Sequence, residues 1–197
     1  GLDGLVLDIK LGSGAFMKTM EEAEGLARAM VDTANDAGCF TSALITDMNQ
    51  PLAKSMGNAL EVSEALHAIT GDSQDDDLPD LAASLGGEVL CSVGLADTPD
   101  AGAEMISDSF YDGRAAEVLA RMIAAMGGPK DFVDRWADRL PSAVVMREIT
   151  PQRHGHITHI SSDALGRAVV ALGGGRAKTG DRIDPSVGFS DVVSLGD

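Results

Sequence analysis

The chain is predicted to fold as an α/β protein: a parallel or mixed sheet flanked by helices, followed by the start of a C-terminal α+β subdomain. Three observations carry this reading. Leu5, Val6, Leu7, Ile9 and Leu11 form a nearly continuous apolar run, broken only by Asp8 and Lys10, that ends in a glycine turn. A helical periodicity and a second β-branched run follow, and strand, helix, strand is a βαβ unit with parallel strands and a right-handed crossover. Beyond Ser142 the helical pattern gives way to two short β-branched runs, which places a boundary near Pro141 and divides the chain into 1–141 and 142–197.

The first run is too short for a globular helix and has no polar face, so it reads as an interior strand covered on both sides. Gly12, Ser13 and Gly14 then turn the chain toward a helix. Lys10 to Met17 therefore falls outside the carboxyl end of a strand, where open α/β sheets bind ligands. Thr19 followed by Glu22 predicts a capping box. Met20, Ala23, Leu26, Ala27, Met30, Val31 and Ala34 recur at three- and four-residue spacing, giving one apolar face to a helix that ends near Ala37 with Gly38 as its left-handed cap. Cys39 to Thr46 is the second strand, and the polar loop Asp47 to Pro51 falls at the same sheet edge as the glycine turn.

The next helix opens at Gly57 and Asn58, with Asn58 as cap, Glu61 at N3 and Val62, Ala65, Leu66 and Ile69 on one face; Gly71 ends it. The acidic run Asp75, Asp76, Asp77 reads as a solvated loop capping a helix from about Leu78 to Leu95, since three consecutive carboxylates do not converge on a metal. Gly86 and Gly87 inside that helix cost ~1 kcal/mol each against Ala and so predict a close helix contact. Helices over Ala101 to Phe110, Arg114 to Met126 and Asp131 to Leu140 follow, with Met105, Met122 and Met126 as core fillers. Ala143 to Ile149 and His156 to Ser161 read as strands, and Asp163 to Leu172 as a helix stopped by Gly173, Gly174 and Gly175.

A formal charge of -16 repels phosphate backbones and anionic lipid, which argues against nucleic acid or a membrane as partner. Although 44% of the residues are apolar, no stretch reaches the ~18 uncharged residues of a membrane span. No basic segment followed by an apolar one marks a signal peptide, so a cytoplasmic location is expected. Cys39 and Cys91 are far apart in apolar surroundings and form no CxxC pair, which predicts buried free thiols. The first residue is Gly, a strand that looks buried begins a few residues later, and DVVSLGD closes no element; the chain is expected to be a piece of a longer protein.

GSGAFM at Gly12 to Met17 matches a dinucleotide fingerprint only in its first two glycines; Met17 stands at the third, and the helix starts too late to aim its N-terminus at a pyrophosphate. Gly173 to Arg176 follows a helix and lacks the Lys-Ser/Thr of a P-loop, so it reads as a helix stop. Strand alternation puts His154 and His156 on one face and His159 on the other, with no carboxylate or thiol at a matching spacing, which favours ordinary turn and strand histidines over zinc. His67, late in its helix, is placed to interact with the C-terminal dipole. No Ser-His-Asp set follows from residue order.

Taken in order, DIKLGSGAFM at Asp8 to Met17, TDMNQPLAKSMGNALEVSEA at Thr46 to Ala65, GGGR at Gly173 to Arg176 and DPSVGF at Asp184 to Phe189 resemble the thymidine phosphorylase and pyrimidine-nucleoside phosphorylase family. The resemblance implies phosphorolysis of thymidine to thymine and 2-deoxyribose 1-phosphate, in an enzyme whose helical lobe and large α/β lobe close on the substrates. Residues 1–141 would be part of the large lobe and 142–197 the beginning of the C-terminal subdomain. The family's phosphate loop, its catalytic histidine and the side chains that hold the base correspond to nothing in this chain, so the resemblance implies no catalytic residue here and an inactive isolated chain. It does imply that Phe16 lines the pyrimidine pocket. It also implies a structural monovalent or calcium-type cation held by Leu52, Ser55 and Glu64, no required organic cofactor, and a homodimer formed through the helical lobe. A stand-alone, non-catalytic domain using the same scaffold for protein contacts is the alternative.

Overall fold

The computed structural model describes residues 2–73 and 77–197. Strand β1 (Gly4–Leu11) pairs in parallel with β2 (Phe40–Asp47), in a register that sets Gly4 opposite Phe40 and Leu11 opposite Asp47. Helix α1 (Met20–Asp36) joins them. Among the described residues the sheet has these two strands, so β1 is bonded along one edge and is not the interior strand its composition suggests. Only Ile9 of β1 is fully buried; its neighbours are half-buried.

The core of this unit is Ile9 against Ala23 and Ala27 of α1, with Leu7, Leu11, Met17, Ala43 and Ile45 packed around them. Alanines at the closest approach let the helix lie near the strand. The larger side chains of the predicted face, Met20, Leu26 and Met30, stay on the rim at 38% exposure or more. The predicted capping box forms: Thr19 accepts from the Glu22 N–H, and the Glu22 carboxylate accepts from the Thr19 N–H.

Helices α2 (Asn58–Ile69), α3 (Asp77–Ser92), α4 (Pro99–Tyr111) and α5 (Arg114–Ala125) follow. Helix α3 packs on both strands and most extensively on α4. The cap of α2 differs from expectation. Gly57 occupies the cap position, Asn58 is the first helical residue, and the Asn58 amide reaches across to the Gly174 carbonyl at 2.8 Å. The Glu61 carboxylate accepts from the Gly57 N–H instead. Of the acidic run, Asp75 and Asp76 lie outside the described residues, and Asp77 begins α3. Gly86 and Gly87 do mark a close contact: a Cβ on Gly86 would sit 2.8 Å from Ile106 Cγ1 of α4. Met105, Met122 and Met126, expected as core fillers, are 45% exposed or more: among the described residues α4 buries only Gly102, and α5, which carries Met122 and is capped by Met126, buries none. Cys39 and Cys91 are free, as expected, but half-buried.

The segment predicted as a helix over Asp131 to Leu140 is a turn followed by the four-residue helix α6 (Trp136–Arg139). The two strands predicted over Ala143 to Ile149 and His156 to Ser161 do not form. A β-branched run becomes a strand only when a partner satisfies its backbone, and Val144, Val145, Met146 and Ile149 are all at least 82% exposed with no such partner among the described residues. Ile157 alone exchanges a pair of hydrogen bonds, at 2.9 Å each, with Gly196 and Asp197. Helix α7 (Ser162–Val169) continues into a π-helical turn over Val170–Gly174.

The C-terminal stretch is stitched to the loop between β2 and α2. Met56 and Phe189 exchange two bonds of 2.8 Å, Val192 N–H donates to the Lys54 carbonyl, Ala59 N–H to the Pro185 carbonyl, and Leu195 N–H to Gln50 Oε1. No described helix is long and apolar enough to cross a membrane.

Candidate functional site

The site is built where β1 and β2 end together. Met48 N–H donates to the Leu11 carbonyl at 2.7 Å and Gly14 N–H to the Met48 carbonyl at 2.9 Å, so the glycine turn and the Asp47 to Pro51 loop lie side by side. Asn49 fastens them. Its Oδ1 accepts from Ser13 N–H at 3.0 Å, while its amide Nδ2 and backbone N–H both donate to Asp47 Oδ1. Gly12 takes φ +134°, and a Cβ there would meet Asn49 at 2.8 Å, which is why no other residue suits the position.

The C-terminal stretch closes the third side. The Ser13 hydroxyl lies 3.1 Å from the Ile160 carbonyl and 3.3 Å from that of Asn49, with one proton to serve either. Gly14 packs so close to Ser162 that a Cβ would fall 2.7 Å from its Cβ. Ser162 is itself buried, and its hydroxyl has no hydrogen-bond partner among the described residues.

Phe16 occupies an unusual place in this assembly. Ala15 is buried, Met17 packs on the core, and the turn is tied by Gly12 N–H to the Met17 carbonyl and Ala15 N–H to the Gly12 carbonyl, each at 3.1 Å. Phe16 between them is 97% exposed. A large apolar ring is thus held clear of the protein on a pinned turn, with its flat face open. Beside the turn, Lys18 Nζ donates to the Gly12 and Ser13 carbonyls at 3.2 and 2.9 Å.

On the face of the sheet away from α1, Asp8, Lys10 and Thr46 form a closed network. Lys10 Nζ lies 2.7 Å from Asp8 Oδ2 and 2.9 Å from Thr46 Oγ1, and the Thr46 hydroxyl donates to Asp8 Oδ1. These two charges, which interrupt the apolar run, are thus paired where they stand. The two-residue alternation and the parallel register were the signals available for it: Asp8 and Lys10 share a face, and Lys10 is opposite Thr46.

Of the residues expected to hold a cation, Ser55 and Glu64 come together: the buried Ser55 hydroxyl donates to Glu64 Oε1 at 2.6 Å. Leu52 lies in the same loop and lines a cavity of about 10 Å³ shared with Lys54, Asp77 and Val192, which neither Ser55 nor Glu64 touches. Among the described residues the Leu52 and Ser55 carbonyls accept no backbone hydrogen bond. No group of three or more His, Cys, Asp and Glu that could hold a metal occurs among the described residues; His154, His156 and His159 are exposed. His67 meets Asp72 at 3.0 Å and lies edge-on to Trp136, with ring centroids 5.0 Å apart. The Thr70 hydroxyl and then His67 hold the Asp72 carboxyl below the usual aspartate range.

Residues 1–116 match the family described as the glycosyl transferase family, a/b domain, and residues 156–197 match the pyrimidine nucleoside phosphorylase C-terminal domain. The bonds from Ser13 to Ile160, Met56 to Phe189 and Lys54 to Val192 all run between these two matched regions.

Proposed function

The chain belongs to the glycosyl transferase family, its a/b domain followed by a pyrimidine nucleoside phosphorylase C-terminal domain, and on that premise we propose that it serves the phosphorolysis of thymidine. In that reaction phosphate oxygen bonds to the anomeric carbon as the glycosidic C–N bond breaks. The bonding pair leaves with the thymine nitrogen, which is protonated, and 2-deoxyribose 1-phosphate remains. Such a step needs placement and stabilisation of the departing charge more than covalent help from the protein.

The observation that carries the reading is Phe16, 97% exposed on a turn whose other residues are pinned. Its ring would cover one face of the pyrimidine and keep water from it. The residues at the strand ends would form a wall of the site, with no side chain of this chain bonding to the reacting atoms. Deleting the gene that encodes this sequence should remove phosphate-dependent release of thymine from thymidine in cell extract; unchanged release would overturn the reading. The 197-residue chain alone is expected to release none, since the family's phosphate loop and base-holding side chains have no counterpart in it.

A structural cation belongs to the same reading. Glu64 with the carbonyls of Leu52 and Ser55 is an all-oxygen donor set suited to a hard ion such as calcium. Bound there, the ion would brace the loop after β2 and take no part in the reaction. What supports it is the pairing of Ser55 with Glu64.

A further inference from the structure

We propose that Lys18 is the positioning residue for Phe16, setting the direction in which the ring is presented; this rests on the reading that Phe16 faces a pyrimidine. An exposed ring has no packing neighbour to orient it, so its direction is set by the backbone that carries it. That backbone contains Gly12 and Gly14, which give it conformational freedom to lose.

Lys18 removes that freedom from both ends. Its ammonium donates to the Gly12 and Ser13 carbonyls at 3.2 and 2.9 Å, on the N-terminal side of Phe16. Its own N–H donates to Glu22 Oε2 at 2.9 Å, which fixes the C-terminal side to the first turn of α1. Helix α1 is held in turn by Ala23, with no exposed surface, against Ile9. Phe16 is thus bracketed by one side chain that ties a glycine turn to a helix anchored in the core. A charged donor shared by two carbonyls holds more firmly than a neutral one would.

The test uses the 197-residue chain with Lys18→Met, which keeps the aliphatic stem and deletes the donors, and Lys18→Arg, which restores them. Backbone order parameters for residues 13–17 should fall from about 0.85 to below about 0.6 in Lys18→Met and recover in Lys18→Arg. In extract of cells whose gene encoding this sequence carries the substitution, the KM for thymidine in phosphate-dependent thymine release should rise about threefold or more in Lys18→Met and in Phe16→Ala and recover in Lys18→Arg. Unchanged order parameters would overturn the proposal, as would a loosened turn with the wild-type KM. If Phe16→Ala leaves the KM unchanged, the reading of Phe16 as a pyrimidine platform fails and the proposal fails with it, a result distinct from a failure confined to Lys18→Met.

Discussion

Gly87 of α3 faces Gly102 of α4 with no room between them: a Cβ on Gly102 would fall 2.7 Å from the Gly87 carbonyl oxygen, and one on Gly87 would fall 2.6 Å from the Ala103 nitrogen. The obstructing atoms are backbone, so neither helix can yield by turning a side chain. Gly102→Ala is therefore expected to destabilise the chain by about 2–3 kcal/mol, the cost of overpacking a tight contact. At Gly25, in the middle of α1, a Cβ would meet nothing within 4 Å, and Gly25→Ala should stabilise by up to about 1 kcal/mol. Urea unfolding of the two variants checks both signs.

Gly188 stands against Met56 and Gly57 with φ +159°, and a Cβ there would overlap the Met56 carbonyl oxygen that accepts from Phe189. Gly188→Ala should loosen the stitch between the C-terminal stretch and the loop before α2. Hydrogen exchange at the Met56 and Phe189 amides should quicken by about tenfold or more, as expected for a loss above about 1.4 kcal/mol. Unchanged exchange would show that the two stretches are held mainly elsewhere.

Acid should weaken the start of α1. Lys18 N–H, then Thr19 N–H, donate to the Glu22 carboxylate and hold its pKa below the usual glutamate value. A carboxyl depressed in the folded state contributes stability that is present above its ordinary pKa of about 4.3 and is lost as pH falls through the folded value. Glu22→Gln should therefore lower stability in the neutral region, where that contribution is present, and flatten part of the acid limb of the profile. Denaturant midpoints between about pH 2 and 7 test this, and an identical acid limb in the variant contradicts it.

The cation reading has a modest expected signature. One carboxylate and two carbonyls are half of the ~6 oxygens a hard cation takes, so water must supply the remainder and affinity should be low. Calcium at a few millimolar should raise the unfolding midpoint of the chain by about 2 °C or less, and Glu64→Ala should abolish the rise. A rise above about 10 °C, or one that survives Glu64→Ala, would contradict the assignment. Ser55→Ala, which leaves Glu64 without its 2.6 Å donor, should cost about 1–2 kcal/mol whether or not calcium is present.

Much of this architecture was legible because it depends on residues close in sequence. The Thr19–Glu22 box, the ending of α1 before Gly38, the parallel pairing of β1 with β2 and the crowding at Gly86 and Gly87 each follow from local spacing, and each is present. The family was legible for a related reason: long ordered motifs such as Thr46 to Ala65 are specific in themselves.

What local spacing could not decide was everything that needs a distant partner. Val144 to Ile149 has the composition of a strand and stays irregular, since strand propensity acts only through a neighbour that takes its hydrogen bonds. Asn58 reads as a helix cap, but the Gly174 carbonyl, 116 residues away, takes its amide. Ser13 is a plain turn residue until folding brings Asn49 and Ile160 to it. Phe16 could equally have been a core residue by composition; its exposure follows from the turn, which commits Ala15 and Met17 to the interior and leaves the ring between them facing out. Residue order was enough to specify most of the elements before Pro141 and the family, because capping, periodicity and turn chemistry act within a few residues. Which side chains meet at the strand ends was left to the folded chain, because that depends on surfaces brought together only when it closes on itself.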